Sequence, residues 1–306
     1  MPTFSILIPV YNVEKYIKKC LDSVINQTFR DFEAIIIDDC GKDKSVQIAY
    51  SYAKTDDRIK IIHHKKNKGL AAARNTALKN AVGKYIVCLD SDDWMEPFCL
   101  DILNKEFLLR KTQSIFFNAR EFYDDTQTFG SKSLFPVTEG YFTVTSDNLI
   151  KLSYFSWIKA YTRKSILKNN LLWPEGINFE DFEFHFKYYT LNPITYVIHD
   201  CLINYRQREG SIVNNAHKGI LEVNDIYSVI RHMKEFWSDL GIYEDYKLTM
   251  LNLVCHRINV FNKLNMDKKQ GDLTLKLLKD IGFPEDFEEY KNYYLKINNE
   301  YQYNII

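Results

Sequence analysis

The chain contains no run of about 18 apolar residues, so nothing in it reads as a membrane span. Its six cysteines (Cys20, Cys40, Cys88, Cys99, Cys201 and Cys255) are scattered, with no CxxC and no paired spacing. That pattern argues against a disulfide framework and predicts reduced, mostly buried thiols in a cytoplasmic protein. Charge of one sign is lacking too: Lys+Arg and Asp+Glu are 40 each, whereas a bulk nucleic-acid binder is normally basic. The first residues, Met-Pro-Thr-Phe-Ser-Ile-Leu-Ile-Pro, have neither the positive segment nor the apolar length of a signal peptide. His63, His64, His185 and His199 have no zinc-site spacing, and there is no internal repeat or low-complexity linker. What remains is a 306-residue chain with 46% hydrophobic residues, long enough to bury a sizeable core in one large domain or two.

Strand and helix signals alternate over the first ninety residues. Phe4 to Pro9, Phe32 to Asp38, Ile59 to His63 and Tyr85 to Leu89 read as near-continuous apolar strands. Between them lie helical spacings at Glu14 to Asn26, Lys44 to Lys54 and Leu70 to Ala81, the first with Tyr16, Ile17, Cys20, Leu21, Val24 and Ile25 on one face. This is the pattern of a parallel sheet covered on both faces, which binds ligands outside the carboxyl ends of its strands. Further on, Pro97 to Lys111 reads as a helix, Ser114 to Ala119 as a strand, and Tyr123 to Thr138 as a polar, turn-rich segment. Trp157 to Arg163 reads as a strand, Ile177 to Glu183 opens a helix, and Thr195 to His199 is a short strand. Past about residue 215 only helical spacing is left, as in Ile220, Val223, Tyr227 and Ile230.

The polar residues that stand out all fall at strand ends: Tyr11 and Asn12, then Asp38 and Asp39, then Asp90-Ser91-Asp92-Asp93. Packed carboxylates raise one another's pKa. A hard divalent cation removes that conflict and binds phosphate on its open faces. The bland alternative is an Asp-rich turn with Asp93 capping the helix near Pro97. Asp38 to Ser45 carries Gly41-Lys42 but not the glycine spacing of a phosphate loop, and Asp43 or Ser45 is the better helix cap there. Asn67 to Asn75 sets Gly69 before an alanine-rich helix start with Arg74 one turn in, placed for a diphosphate or simply solvated. Glu180-Asp181 lies among Phe179, Phe182, Phe184, Phe186 and Tyr188, as a general base at an apolar pocket or as an acidic helix start.

Taken together, Ser5 to Asn12, Asn26 to Glu33, Ile37 to Asp39, Gly69 to Asn75, Leu89 to Asp93 and Phe179 to Asp181 resemble a family-2 inverting glycosyltransferase of the GT-A fold. That class builds bacterial surface glycans. The resemblance is dense over residues 4 to 97, thinner to about 212 and absent beyond. It implies a Rossmann-like, mostly parallel α/β domain over 1–212, with nucleotide-sugar binding in 1–97 and the acceptor and catalytic part in 98–212. Residues 213–306 would form a helical extension. It implies nucleotide-sugar contacts at Pro9, Tyr11, Asp39, Arg74, Asp90, Ser91, Asp92, Arg206 and Arg208, Tyr11 and Asp39 being on the base. Asp92, with Asp90, would hold Mn2+ or Mg2+, and Asp181 would be the catalytic base. Tyr205 to Ser211 resembles a mobile basic loop folding over the diphosphate. Cys40-Gly41-Lys42 departs from the Gly-Ser-Thr common there, and the QxxRW signature of processive synthases is missing. The expected partners are therefore a UDP-sugar and a glycan or glycolipid acceptor such as lipooligosaccharide. For Lys263, Lys268, Lys269 and the last helices the readings are contact with the inner face of the membrane, pairing of two copies, or a plain solvated face. A sugar-phosphate nucleotidyltransferase, a glycoside hydrolase and a receiver-like module compete with this reading.

Overall fold

The computed structural model describes residues 1–133, 135, 138–208, 222–250, 253, 279 and 280. They divide into two compact units. The first comprises Met1–Thr143, Phe155–Gly176 and Tyr188–Ser211. The second comprises Val144–Tyr154, Ile177–Lys187 and the described part of Ile212–Ile306.

The first unit is built on one ten-stranded sheet. Its strands are β1 (Phe4–Val10), β2 (Phe32–Asp38), β3 (Ile59–His63), β4 (Tyr85–Cys88), β5 (Trp94–Met95), β6 (Ser114–Tyr123), β7 (Thr128–Ser133), β8 (Gly140–Thr143), β9 (Lys159–Thr162) and β10 (Ile194–Gln207). They run in the order β3-β2-β1-β4-β9-β6-β10-β5, with β7 on β6 and β8 on β10. From β3 to β4 the sheet is parallel; beyond it is mixed, because β9 is antiparallel to both β4 and β6. Every residue of β1 is buried, as a strand covered on both faces requires. The covering helices are α1 (Ile17–Ile25), α2 (Ser45–Ala53), α3 (Leu70–Asn80), α4 (Cys99–Arg110) and α5 (Arg163–Lys168). On α1, Ile17, Cys20, Leu21 and Val24 form the buried stripe. On α3, Ala71, Ala72, Ala73 and Ala77 are buried, and their small side chains let the helix lie close to the sheet.

A buried carboxylate fixes the amino-terminal edge of the sheet. Glu33 Oε1 accepts from Ser5 Oγ (2.5 Å), Val82 N (2.8 Å) and Gly83 N (3.2 Å), and Oε2 pairs with Lys60 at 2.7 Å. A Cβ on Gly83 would come within 2.6 Å of Phe4 C and Ser5 N, so the turn into β4 touches β1 main chain to main chain.

In the second unit, α6 (Glu180–Leu191) begins and α7 (Glu222–Asp239) follows; residues 243–250 are helical as well. Its core is aromatic: Trp237 stacks on Tyr246 with centroids 4.5 Å apart and meets Phe186 at 6.3 Å. Tyr154 stacks on Phe182 at 3.6 Å.

Several expected elements change. The helix expected from Glu14 starts at Ile17, because Val13 to Tyr16 form a turn closed by Tyr16 N donating to Val13 O. Asp93 caps no helix: Trp94 and Met95 pair antiparallel with Asn204 and Ile203, and the helix begins only at Cys99. The strand expected at Thr195 to His199 runs on to Gln207, so Tyr205 and Arg206 are strand residues rather than loop residues; residues 209–211 lie outside the described chain. The segment expected as turns forms β7, held to β6 by Phe122 against Phe129. Trp157 and Ile158 belong to a 3-10 turn, and strand β9 starts at Lys159. Ile220, Cys255, Lys263, Lys268 and Lys269 lie outside the described residues. The other five cysteines carry free thiols, with Cys20, Cys88 and Cys99 buried and Cys40 exposed. Among the described residues no helix is long and apolar enough to cross a membrane.

Candidate active site

The parallel strands β2, β1 and β4 end on one edge, in register as Val10 beside Asp38 and Leu7 beside Cys88. The strand order turns between β1 and β4, the position where open α/β sheets hold ligands. Pro9 is buried inside β1 opposite Ile37, just past the point where β4 stops pairing, so its missing N–H costs no ladder bond to β4. Tyr11 follows, 47% exposed on this edge.

The rim after β2 is closed by main-chain donors. Asp39, 3% exposed, accepts from Lys68 N (2.9 Å) and Gly69 N (2.8 Å), and His64 Nδ1 lies 2.7 Å from its Oδ1. Three of a carboxylate's roughly four acceptor directions are thus taken, which leaves room for one further N–H. Asp38 accepts from Cys40 N (3.0 Å) and Gly41 N (3.4 Å), with His63 Nδ1 at 2.8 Å. Asn12 Oδ1 accepts from Lys42 N at 2.8 Å. Neither expected residue is the cap of α2: the N-cap is Lys44, with no side-chain cap bond, and Ser45 is the first helical residue, while Asp43 accepts from Ser45 N (3.0 Å) and Glu14 N (2.8 Å) just before it. Cys40 sits at φ 64°, the left-handed region that glycine occupies without strain.

The rim after β4 is closed by arginines. Arg74, 1% exposed on α3, places Nη2 2.9 Å from Asp90 Oδ1. Arg208 directs Nε (2.9 Å) and Nη2 (2.8 Å) at Asp92 Oδ2. Arg206 is 6% exposed: its amide donates to Asp93 Oδ1 at 2.7 Å, its Nε donates to the Asp92 carbonyl at 2.8 Å, and its Nη1 pairs with Asp124. Ser91 is 6% exposed beneath them. Asp93 is 1% exposed and its Oδ2 has no partner among the described residues. Burial, then the charges of Asp92 and Asp90, push its carboxyl well above the usual range. Burial and the same three aspartates push the Tyr205 hydroxyl up as well. Lys19 lies 3.3 Å from the Trp94 ring centroid; burial, then Arg206, lower its pKa.

Asp181 is carried by the second unit, in the acidic first turn of α6 with Glu180 and Glu183, and is 7% exposed. The remaining nine residues expected to bind a nucleotide-sugar are all in the first unit. The sequence points to Asp93 only as a helix cap, weighs His64 only for zinc spacing, and gives no sign of Asp124 or Lys19. Asp93 stands in the motif itself and could have been found there. Asp124 sits in a polar turn with no signal, and His64 differs from an ordinary strand-end histidine only through its long-range partner.

Two carboxylates of hard oxygen, 24% and 21% exposed at Asp90 and Asp92, fit a divalent ion that arrives with diphosphate oxygens rather than one caged by protein alone. Among the described residues no group of three or more His, Cys, Asp or Glu side chains is placed to hold a metal ion.

The model of Glycosyl transferase family 2 matches residues 5–171, more than half of the chain, including the aspartates of both rims and Arg74 but not Arg206 or Arg208. The chain belongs to that family. Among its relatives, EpsH of Bacillus subtilis is 36% identical over 233 residues. That alignment covers 72% of this chain and 65% of EpsH, so the chain spans just under two thirds of that relative's length. Among solved structures, TarS of S. aureus in complex with UDP-GlcNAc superposes with a TM-score of 0.74 at 23% identity, covering 91% of this chain and 80% of that one. The mannosyltransferase PcManGT from Pyrobaculum calidifontis, in complex with GDP-Man and Mn2+, gives 0.57 at 14% identity, covering 98% and 88%. The architecture of this family-2 glycosyltransferase is therefore the GT-A fold, with helices following the sheet domain.

Proposed function

We propose that this enzyme moves one hexose from a UDP-sugar to a hydroxyl of a glycan or glycolipid acceptor, with inversion at the anomeric carbon, during synthesis of a cell-surface glycan such as lipooligosaccharide. The observation that carries the reading is the strand-end edge of the first unit, where Tyr11 and Asp39 flank one side and Asp90, Asp92, Arg74 and Arg208 the other. In this reading the base lies at the β2 rim and the diphosphate at the β4 rim. UDP-GlcNAc in TarS, and GDP-Man with Mn2+ in PcManGT, support a nucleotide-sugar and a divalent ion for this fold.

In this reading Asp92 and Asp90 would hold Mn2+ or Mg2+, which supplies positive charge beside the diphosphate. Arg74 and Arg208 add their guanidinium charge as the leaving oxygen becomes anionic. Asp181 accepts the acceptor's hydroxyl proton on its carboxylate. The freed oxygen attacks the anomeric carbon from the face opposite UDP, and the C–O bond to UDP breaks with its electron pair leaving on UDP. Peripheral membrane contact and pairing of two copies belong to the same proposal, through the lysines and helices of the C-terminal region.

A screen of UDP-sugars with Mn2+, scoring UDP release with and without candidate acceptors, tests the reading. Release of pyrophosphate in place of UDP, or no donor turned over at all, would remove it. Asp181→Asn is expected to keep UDP affinity and lose transfer by about a thousandfold or more; near-normal turnover would take Asp181 out of its role.

A further inference from the structure

Arg206 and Arg208 are two residues apart and treat the acidic rim differently. Arg208 meets the Asp92 carboxylate, a contact that a cation or a phosphate can exchange. Arg206 meets the main chain. Its Nε holds the Asp92 carbonyl oxygen, its amide holds Asp93, and its Nη1 is tied to Asp124. Its guanidinium carbon also lies 4.9, 5.0 and 5.3 Å from the ring centroids of Tyr16, Trp94 and Phe122. A planar fork fixed on three rings and two oxygens is preorganised in a way that a lysine is not. The Asp92 carbonyl belongs to the same residue as the carboxylate offered to the ion, so holding that peptide plane sets where the carboxylate points.

We propose that Arg206 is a positioning residue: it fixes the Asp92–Asp93 main chain so that Asp92 faces the cation and diphosphate, and does not itself touch the nucleotide. This rests on the donor reading above.

The test is Arg206→Lys, which keeps the charge but cannot serve the Asp92 carbonyl and Asp124 together. Mn2+ uptake by the protein–UDP complex is followed by electron paramagnetic resonance, UDP affinity in EDTA by calorimetry, and kcat and KM with the donor found in the screen. Expected are a 10- to 100-fold loss of Mn2+ affinity, a kcat lower by about 100-fold, and unchanged metal-free UDP affinity. A loss of metal-free UDP affinity with Mn2+ uptake preserved would make Arg206 a direct ligand and overturn the proposal, as would no change in any readout. If circular dichroism shows that Arg206→Lys does not fold, Asp124→Ala removes one anchor of the guanidinium and leaves Arg206 in place. It is expected to lose about tenfold in Mn2+ affinity, and a folded Asp124→Ala with normal Mn2+ uptake overturns the proposal equally. A wild-type protein that takes up neither UDP nor Mn2+ sinks the donor reading itself, an outcome seen before any variant is made.

Discussion

Where β2 ends, Asp38 and Asp39 accept from the amides of Cys40, Gly41, Lys68 and Gly69 and face His63 and His64; where β4 ends, Asp90 and Asp92 face Arg74 and Arg208. The residue type is the same and the sheet edge is the same. Main-chain amides cannot leave without unfolding their loop, so the first rim is architecture that a base can lean on. Of the two arginines, Arg74 is buried and fixed on α3, whereas the partly exposed Arg208 can turn away, so the Asp92 side of the second rim is held by a charge that a cation or a diphosphate can replace.

The largest effect should come from the exchangeable rim. Asp92→Ala is expected to lower the transfer rate on the order of a thousandfold. Its unfolding midpoint should scarcely move, because a partly exposed ion pair contributes little. Initial rates and a thermal melt on the same sample separate the two. Asp39→Ala should do the reverse: two amides and a buried imidazole lose their acceptor, costing about 3 kcal/mol in urea unfolding. A variant of Asp39 as stable as the wild type would erase the distinction between the rims.

Acid sharpens the comparison further. Burial alone would raise the Asp43 carboxyl, but the Ser45 hydroxyl and amide and the Glu14 amide outweigh it and hold its pKa below the usual value. A depressed folded pKa gives stability that is complete above the unfolded value of about 3.9 and is lost as pH falls through the folded one. The melting difference between wild type and Asp43→Asn should therefore be constant at neutral pH and close below about pH 4. The smallest effect belongs to Cys40→Gly, which relieves a left-handed backbone and should raise stability by about 1 kcal/mol or less in the same urea experiment.

The first four strands and three helices were legible because each carries its own local apolar run or helical spacing, so period alone reveals it, even where β3 buries only Ile59 and α2 only Ser45 and Ala49. The acidic rims were legible for the same reason: carboxylates that interrupt such runs stand out. Strand β10 was not. His199 and Asp200 are exposed at a pair of register shifts against β6, so the apolar pattern breaks in mid-strand while long-range pairing with Ser114–Tyr123 carries it on. Strand β5 was hidden in two residues whose partners, Ile203 and Asn204, are more than a hundred positions away. In the sequence Arg206 resembles a basic loop residue, since nothing local announces that Tyr16, Trp94, Phe122 and Asp124 surround it. Resemblance supplied the residue names; only pairing between distant segments supplied their surroundings.

Gly83 lies at the far edge from the chemistry, yet the first aspartate of the rim follows it by seven residues, roughly 20 Å of extended chain. Any side chain there would wedge the strand off its neighbour and displace the carboxylates at its other end. A substitution at this hidden corner would thus reach the acidic rim through the strand itself, although no substrate meets it.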